Sequence, residues 1–178
     1  MKKLSMDALG RVSTETYKEL PKRPIIILLD NIRSLHNVGT FFRTGDAFNI
    51  AEIALCGITG TPPHKDIQKT ALGATESVKW QYFSQSIEAV TVYKSQGYSI
   101  VAIEQTDESI ALPDWKTIPE KMVLVFGHEV NGVAQEVLDL CDCAVEIPQF
   151  GTKHSFNVSV VGGIVLYHIC CLQSSDFS

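Results

Sequence analysis

The sequence has no CxxC pair and no HExxH, GxSxG, GxGxxG or GxxxxGK[ST] string. Their absence weakens the readings as a zinc peptidase, a serine hydrolase, a dinucleotide-dependent dehydrogenase and a P-loop NTPase. No apolar run approaches the ~20 residues that span a bilayer. Ile25–Leu29 and Val160–Tyr167 fall far short, so no membrane partner is expected. The opening MKKLSMDALG has two lysines but lacks the apolar stretch of a secretory signal. A cytoplasmic location is the expectation. The five cysteines (Cys56, Cys141, Cys143, Cys170, Cys171) form no even framework. In a reducing compartment they read as small buried apolar side chains. His36, His64, His128, His154 and His168 do not fall at ligand spacing, so no metal is expected.

Charge is modest and unevenly placed. Apolar types make up 45% and charged types 20% of 178 residues, which suits one ordinary globular domain and excludes disorder. Residues 1–23 carry six Lys/Arg against three acids, whereas the remainder carries nine against seventeen. An acidic body disfavours indiscriminate polyanion binding but leaves room for a local basic patch. Residues 1–23 read as a basic N-terminal extension, helical between Leu4 and Leu20. Residues 24–178 read as the domain.

From Pro24 the pattern alternates. Strands are expected at Ile25–Leu29, Glu52–Cys56, Val78–Phe83, Tyr98–Glu104, Met122–Phe126 and Ala144–Ile147. Helices are expected at Asn37–Phe48, Ile87–Gln96, Ala134–Leu140 and Ser155–Leu172, with Asn37 and Ser155 as N-caps. Gly57–Lys65 is turn-rich. Such alternation implies an α/β fold, a mostly parallel sheet with helices on both faces. Sheets of this kind bind ligands beyond the carboxyl ends of their strands.

Three loops at such ends hold the least ordinary residues. The first runs Asp30 to Arg43, with Asn37 and Gly39 at a strand-to-helix junction and Arg43 a turn and a half further on. Arg33 precedes them. The second, Phe126-Gly127-His128-Glu129-Val130-Asn131-Gly132, places a carboxylate in a glycine-bracketed turn. The third runs Ile147 to Val160 and contains Gly151, Ser155, Phe156, Asn157 and Ser159. Gly162 and Gly163 follow inside an apolar helix. Each costs that helix about 1 kcal/mol, so the pair implies close packing against another element, either within the chain or in a neighbouring subunit.

Taken together, these loops resemble the three motifs of the SpoU (TrmH-like) RNA ribose methyltransferases of the SPOUT superfamily. The first motif is Asn37-x-Gly39-x-x-x-Arg43, and the second is Phe126-Gly127-x-Glu129. The third is Ile147-Pro148-x-x-Gly151 with Ser155-x-Asn157-Val158-Ser159. The likeness covers Pro24 to Leu172, and the stretch Thr70–Ala74 also looks like the family. It implies a deep C-terminal trefoil knot, a homodimer packed through the first-motif helix and the last helix, and S-adenosylmethionine bound in the knotted loops. The product of that cofactor is S-adenosylhomocysteine. The implied reaction moves a methyl group to a ribose 2′-hydroxyl of RNA, tRNA in preference to rRNA. Phe126, Gly127, Ile147, Gly151, Ser155, Phe156 and Asn157 are the cofactor-binding candidates. Arg43, Asn37, Glu129, Ser155 and Asn157 are the catalytic candidates.

The chemistry favours an electrostatic part for Arg43, because an arginine stays protonated in proteins. It would hold a phosphate and stabilise developing oxyanion character. Arg11, Lys22, Arg23 and Arg33 are the candidates for RNA phosphate contacts. The sequence departs from the family at Gly45, Val130 and Phe156. Two alternatives stand beside this reading. One is a non-catalytic RNA-binding or assembly factor on the same fold, and the other is a base-nitrogen RNA methyltransferase of the same superfamily.

Overall fold

The computed structural model describes residues 1–5 and 7–173. Met6 and residues 174–178, which the readings of the extension and the domain include, lie outside the described residues. Strand β1 (Arg23–Asp30) fixes the architecture. Successive side chains of a strand point to opposite faces. Ile25, Ile27 and Leu29 therefore enter one core, and Ile26 and Leu28 enter a second. A strand apolar on both faces needs a helix layer on each. Helices α2 (Leu35–Ala47), α3 (Lys65–Ala71) and α7 (Val158–Gln173) cover the first face. Helices α5 (Ser86–Ser95) and α6 (Gln135–Leu138) cover the second.

The sheet has seven strands in the order β3-β2-β1-β6-β4-β7-β5, and every paired neighbour runs parallel. The other strands are β2 (Ile50–Cys56), β3 (Trp80–Phe83), β4 (Ser99–Ile103), β5 (Ile110–Ala111), β6 (Met122–Phe126) and β7 (Cys143–Glu146). Because β6 inserts between β1 and β4, the carboxyl ends of β1 and β6 lie side by side, with Leu29 opposite Phe126. That register brings the first and second motif loops together.

Phe41 joins the layers. Its ring centroid is 4.9 Å from that of Phe126. On its other side Gly162 of α7 lies so close that a Cβ would collide with the Phe41 ring. Burying a phenylalanine contributes about 1.5–3 kcal/mol, and here the burial requires a glycine. Gly163 has nothing within 4 Å of its Cβ position. Gly39 serves a third contact: a side chain there would strike Thr70 and the Ile67 carbonyl of α3.

Several local expectations are corrected. The N-terminal extension is not one helix. Asp7–Leu9 forms a single 3-10 turn, Gly10 takes a φ of 58°, and α1 covers only Thr14–Glu19. The sheet gains the two-residue β5, and the 65–77 region folds into α3 and α4 (Ala74–Ser77). Asn37 is not a cap: α2 begins two residues earlier, capped by Ser34, whose Oγ accepts from the Asn37 N–H. Ser155 is not a cap either. Asn157 fills that place, its Oδ1 accepting from the Ser159 and Val160 N–H groups at 2.9 and 3.3 Å. Among the cysteines, Cys56 and Cys170 are buried, but Cys171 is exposed.

Candidate functional site

A cavity of about 340 Å3 opens at the carboxyl ends of β4, β6 and β7. That volume is in the range of small-molecule sites. Ile103, Phe126, Val145, Ile147 and Val161 give it apolar walls, and Glu129, Gln149, Ser155 and Asn157 give it polar ones. The loop after β6 forms one side as a tight hairpin in which His128 and Gly132 exchange backbone hydrogen bonds at 3.0 and 2.8 Å. Gly127 sits against the Gly132–Val133 backbone with no room for a Cβ. The His128 Nδ1 accepts from the Val130 and Asn131 N–H groups, which closes the turn.

Asn37 is the junction of the three loops. Freed from capping by Ser34, its amide Nδ2 donates to Glu129 Oε1 at 3.0 Å. Its Oδ1 accepts from Asn157 Nδ2 at 3.1 Å and from Ser159 Oγ at 3.4 Å. Glu129 also receives the Ser34 N–H at 2.9 Å and the Arg33 N–H at 3.1 Å. Burial by itself would raise the Glu129 pKa. The N–H groups of Ser34 and Arg33, with the Asn37 amide, outweigh it and hold the carboxyl below its ordinary 4.5. Glu129 is thus held as an anion that fixes the Ser34 and Arg33 backbone and the Asn37 amide.

Of the residues singled out in the sequence, Phe126, Gly127, Ile147, Ser155, Phe156, Asn157 and Glu129 line the cavity. Asn37 touches it through Glu129 and Asn157. Gly151 does not line it and has open space around it. Arg43 is exposed on α2. Six residues separate it from Asn37, which turns it about 120° around the helix. It does not line the cavity of its own chain. Arg11 and Arg33 are exposed, and Arg23 is half-buried. Lys22 donates to the Tyr17 carbonyl at 2.6 Å and to Asn49 Oδ1 at 2.9 Å, and its Nζ stands 3.1 Å from the Tyr17 ring centroid. It ties α1 to the domain.

Sequence reasoning missed Glu104 and Glu146, two further carboxylates lining the cavity. Glu104 accepts the Val133 N–H at 2.9 Å and so braces the second loop from β4. The signal was available: it ends an apolar strand, as the second-motif loop does.

The chain matches the SpoU rRNA Methylase family over residues 24–167, and it belongs to that family. It is 29% identical to the 23S rRNA (guanosine-2′-O-)-methyltransferase RlmB of Neisseria meningitidis, over 85% of this chain and 60% of that one. It is 31% identical to a tRNA (guanosine(18)-2′-O)-methyltransferase of Borreliella burgdorferi, over 82% of this chain and 65% of that one. The chain thus spans about 60–65% of the length of these two relatives. The solved TrmH/SpoU tRNA modifying enzyme of A. aeolicus superposes with a TM-score of 0.76 at 28% identity, covering 87% of this chain and 78% of that one. Among the described residues, no helix is long and apolar enough to cross a membrane.

Proposed function

We propose that this protein is an S-adenosylmethionine-dependent RNA methyltransferase acting on a ribose 2′-hydroxyl, with tRNA as the first substrate to test. The observation that carries the proposal is the Asn37 amide, which joins Glu129 and Asn157 at the edge of the cavity. Three motifs far apart in sequence meet there in one hydrogen-bonded set.

The cavity fits the cofactor. Its apolar walls suit a purine and a methylene chain, while Glu104, Glu129 and Glu146 suit a ligand bearing positive charge. Phe126, Gly127, Ile147, Phe156 and Asn157 would hold it, beside Ser155. When bound, the cofactor supplies an already activated sulfonium methyl, so metal activation is not needed. The chain's own task is to place and polarise a weakly acidic hydroxyl. Ser155 and Asn157 would orient the ribose. Arg43 would hold the adjoining phosphate and stabilise charge developing on the 2′-oxygen.

In this reading Arg43 acts in the cavity of another copy, which accords with its absence from the lining of its own. A homodimer supplies that copy. Val160, Ile164 and Tyr167 form an exposed apolar stripe along α7, at the spacing of one helix face, beside the open Gly163. An isologous two-fold contact there would cover the stripe. The segment from β7 to α7 would pass through the preceding loops as a trefoil knot, a reading supported by α7 packing on α2, the helix that follows β1, although β7 lies beyond β6 and β4 from β1. A cytoplasmic site of action would suit an RNA substrate.

The test is methyl transfer from labelled S-adenosylmethionine into total RNA from cells lacking the gene, followed by size fractionation and nucleotide analysis. Label as 2′-O-methyl nucleotide in the tRNA fraction is the expected result. Label in large RNA moves the substrate to rRNA, and label on a base overturns the ribose assignment. Cofactor binding without label in any fraction favours the non-catalytic reading, which the acidic body of the chain motivates.

A further inference from the structure

The loop between β7 and α7 carries an aromatic side chain that the cofactor cavity does not use. Gln149 lines the cavity, and its Nε2 donates to the His154 carbonyl at 3.3 Å. That bond pinches the loop, so residues 150–153 form its tip. Phe150 stands on the tip with 98% of its surface exposed. Gly151 beside it has no atom within 4 Å of its Cβ position, so the tip rises into open space. Exposing a phenylalanine so fully forgoes the stabilisation that its burial would give. A role in the free chain's packing is excluded by that exposure.

The surroundings select the occupant. Lys153 is exposed on the same tip, His154 follows it, and no acid lies between Pro148 and Asn157 in a chain of net charge −5. Exposed Arg33 adjoins the cavity from the first motif loop, because its N–H binds Glu129. An exposed ring with a lysine on the same loop tip, outside the carboxylate-lined cavity, is an arrangement that takes single-stranded nucleic acid: a base stacks on the ring and a phosphate lies against the cation. We infer that Phe150 is a stacking platform for an unpaired base at or next to the nucleotide whose ribose is methylated, with Lys153 holding a neighbouring phosphate. This inference rests on the RNA methyltransferase reading and adds a recognition residue to it. It favours a substrate whose target lies in a loop, since a paired base has no free face to offer.

The experiment compares wild type with F150A, F150Y and F150W. Base–aromatic stacking is worth about 1–3 kcal/mol per base, so F150A should weaken RNA binding by roughly 5- to 150-fold. Affinity for S-adenosylhomocysteine by calorimetry should stay unchanged. F150Y and F150W should retain RNA affinity. The added tryptophan emission of F150W, taken as the difference from wild type, should be open to acrylamide in the free protein and protected when RNA is added. Equal RNA affinity in wild type and F150A overturns the platform while leaving the methyltransferase reading intact. Protection of F150W before RNA is added also overturns it, by showing that a second copy covers the ring. Failure of wild type to bind RNA at all, with S-adenosylhomocysteine bound, overturns both readings.

Discussion

Asn37 Nδ2 and Glu129 Oε1 are 3.0 Å apart although 92 residues separate them in the chain. The bond has one donor and one acceptor, and the other end of the Asn37 amide is already occupied by Asn157. The arrangement therefore depends on an amide, not on size. Asn37→Asp should be worse than Asn37→Ala, because it sets two carboxylates at contact distance and removes the donor. Leaving such groups unpaired costs about 1–3 kcal/mol, or a loss of roughly 5- to 150-fold in cofactor affinity if that cost falls on the closed cavity. Calorimetry with S-adenosylhomocysteine on both variants checks it. Equal affinities would mean that the amide bridge does not shape the pocket.

Glu129 should leave a mark on the pH dependence of stability. Its folded pKa lies below the ordinary 4.5 because backbone N–H groups outweigh burial. A depressed carboxylate stabilises the fold above its unfolded pKa, and that contribution is lost as pH falls through the folded value. Glu129→Gln should be less stable than wild type at pH 7. The gap should stay level down to about pH 4.5, then shrink on further acidification. Urea unfolding of both proteins at several pH values measures it. A gap that widens in acid would assign the opposite sign to the shift.

The two adjacent glycines of α7 should behave in opposite ways. Gly162→Ala drives a methyl group into the Phe41 ring, and overpacking of this kind costs about 1–3 kcal/mol. Gly163→Ala meets nothing within its own chain and gains up to about 1 kcal/mol of helix propensity. For a chain of this size, 1 kcal/mol moves Tm by about 2–4 °C. Gly162→Ala should melt lower than wild type. Gly163→Ala should melt higher when the protein is dilute enough to be monomeric, since subunit contacts otherwise enter Tm.

The same helix shows what the sequence could and could not disclose. The double glycine announced a close approach, but nothing local says which of the two is covered. Only the position of Phe41 on α2, held by Phe126 of β6, decides it. Ser34 and Asn37 are both good N-cap formers, and the choice fell to Ser34 because Asn37 has partners in distant loops. The run Ile25–Leu29 was legible as a buried strand because burial on both faces leaves no polar alternation. The insertion of β6 between β1 and β4 was not legible, since strand order depends on long-range pairing. Nor was β5, whose two residues are too few to carry a period. The cavity end of the sheet was legible because every unusual loop followed a strand.

Arg43 gives the sharpest test of how the site is assembled. It is exposed, stands about 120° around α2 from Asn37, and is not among the residues lining the cavity of its own chain. Arg43→Ala should abolish transfer while leaving S-adenosylhomocysteine affinity largely unchanged. Asn157→Ala should also lose transfer, through damage inside the cavity. If each site in a dimer combines the cavity of one subunit with Arg43 of the other, mixing the two inactive proteins must restore activity. In a mixed dimer one site carries both lesions and the other carries neither. Random exchange of equal amounts then gives half mixed dimers with one sound site in each, or roughly a quarter of wild-type activity. Ile164→Glu in both proteins should abolish the recovery by placing a charge on the exposed stripe of α7. If Arg43 served its own cavity, every mixed dimer would hold two damaged sites, and mixing would restore nothing at any ratio.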